Sequence, residues 1–292
     1  MEGFFGIPHI ANQIFETLTT QDLGNCREVS PEWFNFVEEE KILWKRIRNI
    51  HPYINGRNLL HVAAITGQAT RFENAFNFSI IMGKKHEQFV DNDGNTPLHY
   101  AAENGIFSIC DLIVNHSDDK NLENNFGLTP LVLAAQNGHM NIVEMFIKGG
   151  INDEGCNPKN VFGNTPLHEA AKLGHLLVCQ IIVEKVKDVN PANNVGTTPL
   201  HLAAMNGHAS ICELIIRNAD NKNPTDGNGT TPLHTAAMFG NVDVTEVLLR
   251  KVEFKFPTNG FGMTPLEVAK ENFFTCSHIQ YLALKRLYES TE

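Results

Sequence analysis

The stretch that decides the fold is Thr198-Pro199-Leu200-His201-Leu202-Ala203-Ala204-Met205-Asn206-Gly207. Threonine is a favoured N-cap, and proline is tolerated at the first helical position, where its missing N–H would have had no partner. Leucine opens the buried face, the alanine pair lets a short helix lie close against its neighbours, and Gly207 supplies the positive φ at which a helix ends. The same phrase returns around Thr96, Thr129, Thr165, Thr231 and Thr264, and in weaker form at Asn58-Leu59-Leu60-His61. Successive threonines are 33 residues apart except for one interval of 36, from Thr129 to Thr165. A fixed period of this size marks a repeat array.

A second apolar run follows each terminating glycine, as in Ile142, Val143, Phe146 and Ile147, or Ile211, Cys212, Ile215 and Ile216. That spacing puts the apolar residues on one face of a second, outer helix. The return to the next Thr-Pro is rich in turn formers, as in Asp91-Asn92-Asp93-Gly94, Asn124-Asn125-Phe126-Gly127, Asn193-Asn194-Val195-Gly196 and Asn259-Gly260-Phe261-Gly262. A hairpin-like finger therefore joins one helix pair to the next. Two excesses over the period, at residues 76–87 and 149–159, read as loops at the edge of the array. The last repeat departs from the pattern, with Glu267 in place of histidine and Lys270 in place of the second alanine. Its final helix is expected to turn Ile279, Leu282 and Leu287 inward, leaving a polar cap.

The unit resembles the ankyrin repeat, on the Thr-Pro-Leu-His-x-Ala-Ala phrase. The resemblance implies an array of about seven repeats over residues 57–292, the last a cap: an α-solenoid with β-hairpin fingers and an otherwise all-α fold. It also implies a surface for a protein or peptide substrate, formed by the positions after the alanine pair and those beside the finger glycine. These are Leu173, Met205, Met238 and Phe239 on the helices, and Phe126, Phe162, Val195 and Phe261 on the fingers. Most are apolar, and from the fourth repeat onward they form a patch suited to an apolar or amphipathic segment.

Residues 1–50 do not follow the repeat. Ile7-Pro8 opens a helix with Ile10, Ile14 and Leu18 on one face; Thr20 caps a second; Ser30-Pro31-Glu32 starts a third, with Trp33, Phe36 and Val37 on one side. Leu43, Trp44, Ile47 and Ile50 continue at helical spacing. A segment of about fifty residues is near the lower limit for a self-sufficient core, so its apolar surface must be shared, either with the first repeat or with another protein. Ile7-Pro8, Ile14-Phe15, Leu18, Asp22-Leu23, Val29-Ser30, Trp33 and Leu43-Trp44 resemble an F-box, with Ile10 where the family usually carries an acid. That resemblance implies docking onto the Skp-type adaptor of a cullin-RING ubiquitin ligase, through Ile7, Pro8, Ile14, Phe15, Leu18, Leu23, Val29 and Trp44. Residues 51–56 are then a short linker.

A net charge of −10 over 292 residues argues against a nucleic-acid surface, which needs clustered Lys and Arg, and disfavours acidic partners generally. The first residues lack the basic stretch and apolar core of a secretory signal, and no run has the length of a membrane span, so a cytoplasmic or nuclear protein is expected. Cys110, Cys179 and Cys212 each fall fourteen residues after their repeat's threonine, a core position of the outer helix. The repeated histidines, His61, His99, His168, His201 and His234, come one per repeat, and stacked helices 8 to 10 Å apart cannot bring them onto one metal at bond lengths of roughly 2 Å. They read as structural hydrogen bonders. No phosphate-binding loop or nucleophile–base pair is recognisable, and neither a cofactor nor a catalytic activity is expected. The expected role is the substrate-recognition subunit of a Skp/cullin/F-box ubiquitin ligase; the alternative is an ankyrin scaffold or inhibitor whose N-terminal helices only cap the array.

Overall fold

The computed structural model describes residues 56–57, 59–70, 72–73, 76, 89–117, 119–148, 157–272 and 275–290. The expected F-box helices, with every adaptor-contacting residue from Ile7 to Trp44, lie outside them, as do the Asn58 cap and most of the two insertions. The chain divides into two compact units, residues 1–130 and 131–292.

In the first unit, α1 (Leu59–Thr66) packs against α2 (Pro97–Glu103), and α2 against α3 (Phe107–His116). Leu60, Ala63, Ala64, Leu98, Ala101 and Ile113 are among its buried residues, together with Phe72 and Phe76, whose rings stack.

The second unit holds the inner helices α4 (Pro130–Gln136, all but its first residue), α6 (Pro166–Leu173), α8 (Pro199–Met205), α10 (Pro232–Met238) and α12 (Pro265–Glu271). Between them run the outer helices α5 (Met140–Lys148), α7 (Leu176–Val183), α9 (Ala209–Asn218), α11 (Val242–Lys251) and α13 (His278–Glu289). Consecutive inner helices from α6 to α12 pack on one another, as do the outer ones from α5 to α13. The phrase explains the packing. Thr165, Thr198, Thr231 and Thr264 sit at N-caps in extended backbone with proline at the first turn. Ala170, Ala171, Ala203, Ala204, Ala236 and Ala237 are wholly buried, the contact that a larger side chain would push apart. Gly174 closes α6 at φ 84°, in the left-handed region. Cys110, Cys179 and Cys212 are buried and unbridged, and burial pushes each thiol up to about 12, which leaves them as inert packing groups.

Two expectations change. The fingers are not paired strands: no strand occurs among the described residues, and each finger is one tight turn five residues long, such as 193–197. The final helix is also turned differently. Leu284 and Tyr288 are buried with Cys276 and Ala269, and Tyr281 packs beside them, whereas Ile279 is 79% and Leu282 40% exposed. The phase is set at the start of α13, where Ser277 takes the Gln280 N–H on its hydroxyl and gives its own N–H to the Gln280 side chain. From that start, residues 281, 284 and 288 form the stripe that meets the core, and 279 and 282 fall on the other side. Ile279→Glu is therefore expected to change the urea midpoint by less than about 0.5 kcal/mol of stability; a larger loss would return Ile279 to the core.

Candidate interaction surface

The inner helices α6, α8 and α10 are tied at both ends to the repeat that follows, and α2 at its start. At the start, the threonine N–H donates to histidine Nδ1, at 3.0 Å for Thr96 to His99 and Thr165 to His168, and 3.2 Å for Thr198 to His201 and Thr231 to His234. Histidine Nε2 then meets a carbonyl of the next finger: Leu128 for His99, Thr197 for His168, Thr230 for His201 and Met263 for His234, at 2.9 to 3.1 Å. A carbonyl only accepts, so Nε2 carries the proton and the ring is neutral. Burial depresses His99 and His168 to about 4, and His61, His201 and His234 in the same direction. With both nitrogens engaged, the rings of His99, His168, His201 and His234 have no lone pair for a metal and no proton to exchange with a substrate.

The last repeat shows why its histidine is replaced. Glu267 takes the N–H and hydroxyl of Thr264, each at 2.7 Å, and these bonds hold its carboxyl below the usual range. A carboxylate thus completes the same cap that histidine makes in the earlier repeats.

At the other end of the helix, the residue after the next repeat's glycine makes the tie in three cases, and Thr275 makes it in the last. His175 Nε2 donates to the Gln136 carbonyl and His208 Nε2 to that of Lys172, at 3.0 and 3.2 Å. Asn241 donates to the carbonyls of Ala204 and Met205, and the Thr275 hydroxyl to that of Met238.

Between these ties stand the fingers. Asn193 Oδ1 accepts the N–H groups of Val195 and Thr197, closing the turn with its side chain, while the Gly196 N–H closes it through the backbone. Asn160, Asp226 and Asn259 do the same. Neighbouring fingers are joined by backbone bonds, Asn194 N–H to Phe162 C=O, Gly227 N–H to Val195 C=O and Gly260 N–H to Asn228 C=O, at 2.8 to 3.1 Å. The tips of the second unit are thus held at fixed spacing before any partner arrives, which lowers the ordering cost of binding.

The side chains at those tips face water. Phe162 is 69%, Val195 67% and Phe261 74% exposed. Phe162 and Val195 are adjacent; the polar tip Asn228 separates Val195 from Phe261. Leu173 is exposed at the end of α6, while Met205, Met238 and Phe239 are half-buried. Phe126 is exposed on a finger of the first unit. Sequence reasoning missed Val161, exposed beside Phe162, and the ties from His175, His208 and Asn241. The signal for the ties was the polar residue after Gly174, Gly207 and Gly240.

The first finger of the first unit is locked by a polar cluster. Tyr100 donates to Asp91 Oδ2 at 2.5 Å, and Arg57 reaches both Tyr100 and Asp91. Burial acts to raise the Asp91 carboxyl, but the bonds from Tyr100 and from the Asn95 and Asp93 N–H groups outweigh it and hold it below the usual range. Burial, with Asp91 beside it, pushes Tyr100 up to about 12.

The family model described as ankyrin repeats (3 copies) matches residues 40–124, 60–154, 108–193, 151–226, 178–257 and 200–287. The model described as F-box-like matches residues 8–50. No match was found among the curated proteins. Both families are typically interaction modules without catalytic function, and among the described residues no helix is long and apolar enough to cross a membrane. Repeat, caps and family match agree, and the chain belongs to the ankyrin-repeat family, with an F-box-like domain ahead of its array.

Proposed function

We propose that this protein is the substrate-recognition subunit of a Skp/cullin/F-box ubiquitin ligase. Residues 1–50 dock the Skp-type adaptor through Ile7, Pro8, Ile14, Phe15, Leu18, Leu23, Val29 and Trp44, residues 51–56 link, and residues 57–292 hold a protein substrate. Leu173, Met205, Met238 and Phe239, with Phe126, Phe162, Val195 and Phe261, are the substrate contacts. The observation that carries the reading is the combination of an F-box-like match with an array on which Phe162, Val195 and Phe261 stand exposed at finger tips and neighbouring fingers are joined by backbone bonds. Catalysis belongs to the other subunits; this chain supplies proximity, raising the effective concentration of a substrate lysine near the charged conjugating enzyme. Such a protein works in the cytoplasm or nucleus.

The test is binding of purified full-length protein to purified adaptor. Wild type is expected to bind at micromolar concentrations or below. Ile14→Asp or Phe15→Asp is expected to lose about 2 kcal/mol or more, roughly thirtyfold in Kd, with the helical circular dichroism of the array unchanged. Wild-type protein that ignores the adaptor leaves the scaffold reading in its place.

A further inference from the structure

We infer that the finger face of the second unit takes an acidic, amphipathic protein segment, whose apolar side chains seat on Phe162, Val195 and Leu173 and whose carboxylates meet Lys159 and Lys172. This rests on the substrate-holding role proposed above and names the chemistry of what is held.

The net charge of −10 makes an acidic partner the unexpected choice, but the charge is not evenly spread. Between residues 157 and 263 the exposed carboxylates are Glu184, Asp188, Asp220, Asp243 and Glu253, every one on an outer helix or in the loop directly after it. Two more outer-helix acids, Glu213 and Glu246, are paired with Arg217 and Arg250. Two further carboxylates of this stretch, on α6 and on the finger tipped by Asn228, are consumed internally. Glu169 is buried and accepts from Asn164 at 2.9 Å, and Asp226 Oδ1 takes the N–H groups of Asn228 and Thr230 at 2.8 Å.

Around α6 the exposed charges beside the apolar residues are cationic. Lys172 is exposed at the end of α6, directly before exposed Leu173. Lys159 is exposed at the base of the finger tipped by Phe162, and its Nζ reaches across to the Ala192 carbonyl of the next finger at 3.4 Å. The two lysines therefore bracket α6, a helix of eight residues and about 12 Å, with the apolar tips alongside. At physiological salt the field of a surface charge decays over about 8 Å, so a segment lying on the tips responds first to Lys159, directly before its finger's base, and to Lys172, next to Leu173, and less to Asp188, Asp220 and Glu253, which stand further back in the loops that lead into their fingers. Apolar anchors supply affinity, and the bracketing cations select the sign of what flanks them.

The test uses full-length protein and three labelled peptides of equal length with the same leucine and phenylalanine residues, interleaved with glutamate, glutamine or lysine. Anisotropy titration is expected to rank glutamate over glutamine over lysine, with about tenfold between the extremes at low salt and less at high salt. Lys159→Glu with Lys172→Glu should invert the ranking, and Phe162→Ser with Val195→Ser should abolish binding of all three, both without loss of helicity. Equal affinities, preference for the lysine peptide, or no binding by any of them overturns the proposal. So does a single-stranded oligonucleotide that displaces the glutamate peptide from the same residues, which would assign the face to nucleic acid. Adaptor binding, measured on the same preparations, separates this result from the ligase reading: charge-ranked peptides without adaptor binding remove the ligase and leave the face, and the reverse removes the face alone.

Discussion

Acidification from pH 7 to pH 4 is expected to strip several kcal/mol from the fold. The imidazoles of His99 and His168 have folded pKa values of about 4 against an ordinary 6.5. Below pH 6.5 the unfolded chain binds a proton at each of these positions and the folded chain does not, so unfolding is favoured as pH falls. The penalty is absent above pH 6.5, grows through the interval and levels off near pH 4, where it reaches roughly 3 kcal/mol for each of the two. His61, His201 and His234 are shifted in the same direction and add to it. Against a stability of about 5 to 15 kcal/mol, that sum is a large fraction of what holds the array folded. Urea titrations followed by circular dichroism at pH 7, 6, 5 and 4 measure it. A midpoint that stays level from pH 6.5 to pH 5 would mean the rings are not held neutral. His168→Gln, which keeps an N–H donor but cannot titrate, should flatten part of the slope.

A pair of glycine substitutions separates the finger turn from the knitting of one finger to the next. Gly196 and Gly262 occupy the same place in their turns, at φ 83° and 74°. A Cβ on Gly262 meets nothing within 4 Å, whereas a Cβ on Gly196 would stand 2.6 Å from the backbone N of Gly227 and 2.9 Å from the Asp226 carbonyl carbon. Gly262→Ala should therefore cost only the left-handed strain, about 1 to 2 kcal/mol. Gly196→Ala adds a clash with backbone that cannot rotate away, for a total of about 2 to 5 kcal/mol. Comparison of urea midpoints checks the difference. Equal losses would show that the neighbouring finger yields freely.

The fold was legible because every helix-making residue recurs with the same neighbours. Thr-Pro, Ala-Ala and Gly each act locally, through a cap, a close contact and a positive φ, and local effects survive in sequence. What escaped was whatever depends on the neighbouring repeat. The hairpin reading of the fingers followed from Asn-Gly chemistry, but the asparagine side chain closes a five-residue turn by itself and the bonds then run sideways to the next finger. The phase of α13 escaped because apolar residues stand on both of its sides, and only the Ser277–Gln280 cap decides between them. For the surface, exposed Phe162, Val195, Phe261 and Leu173 follow from repeat register, whereas the half-burial of Met205, Met238 and Phe239 depends on how far the next repeat overlaps each helix end.

The closing of each finger by the side chain at its base has a consequence for how such a molecule changes. Asn160, Asn193, Asp226 and Asn259 hold the turns, and the tip residues contribute to the knitting only through backbone atoms that every amino acid has. Phe162, Val195, Asn228 and Phe261 are therefore interchangeable as far as folding is concerned. A lineage can rewrite the row of tips one residue at a time, exploring new targets with little effect on the scaffold, in the way that letters are reset in a frame that does not move.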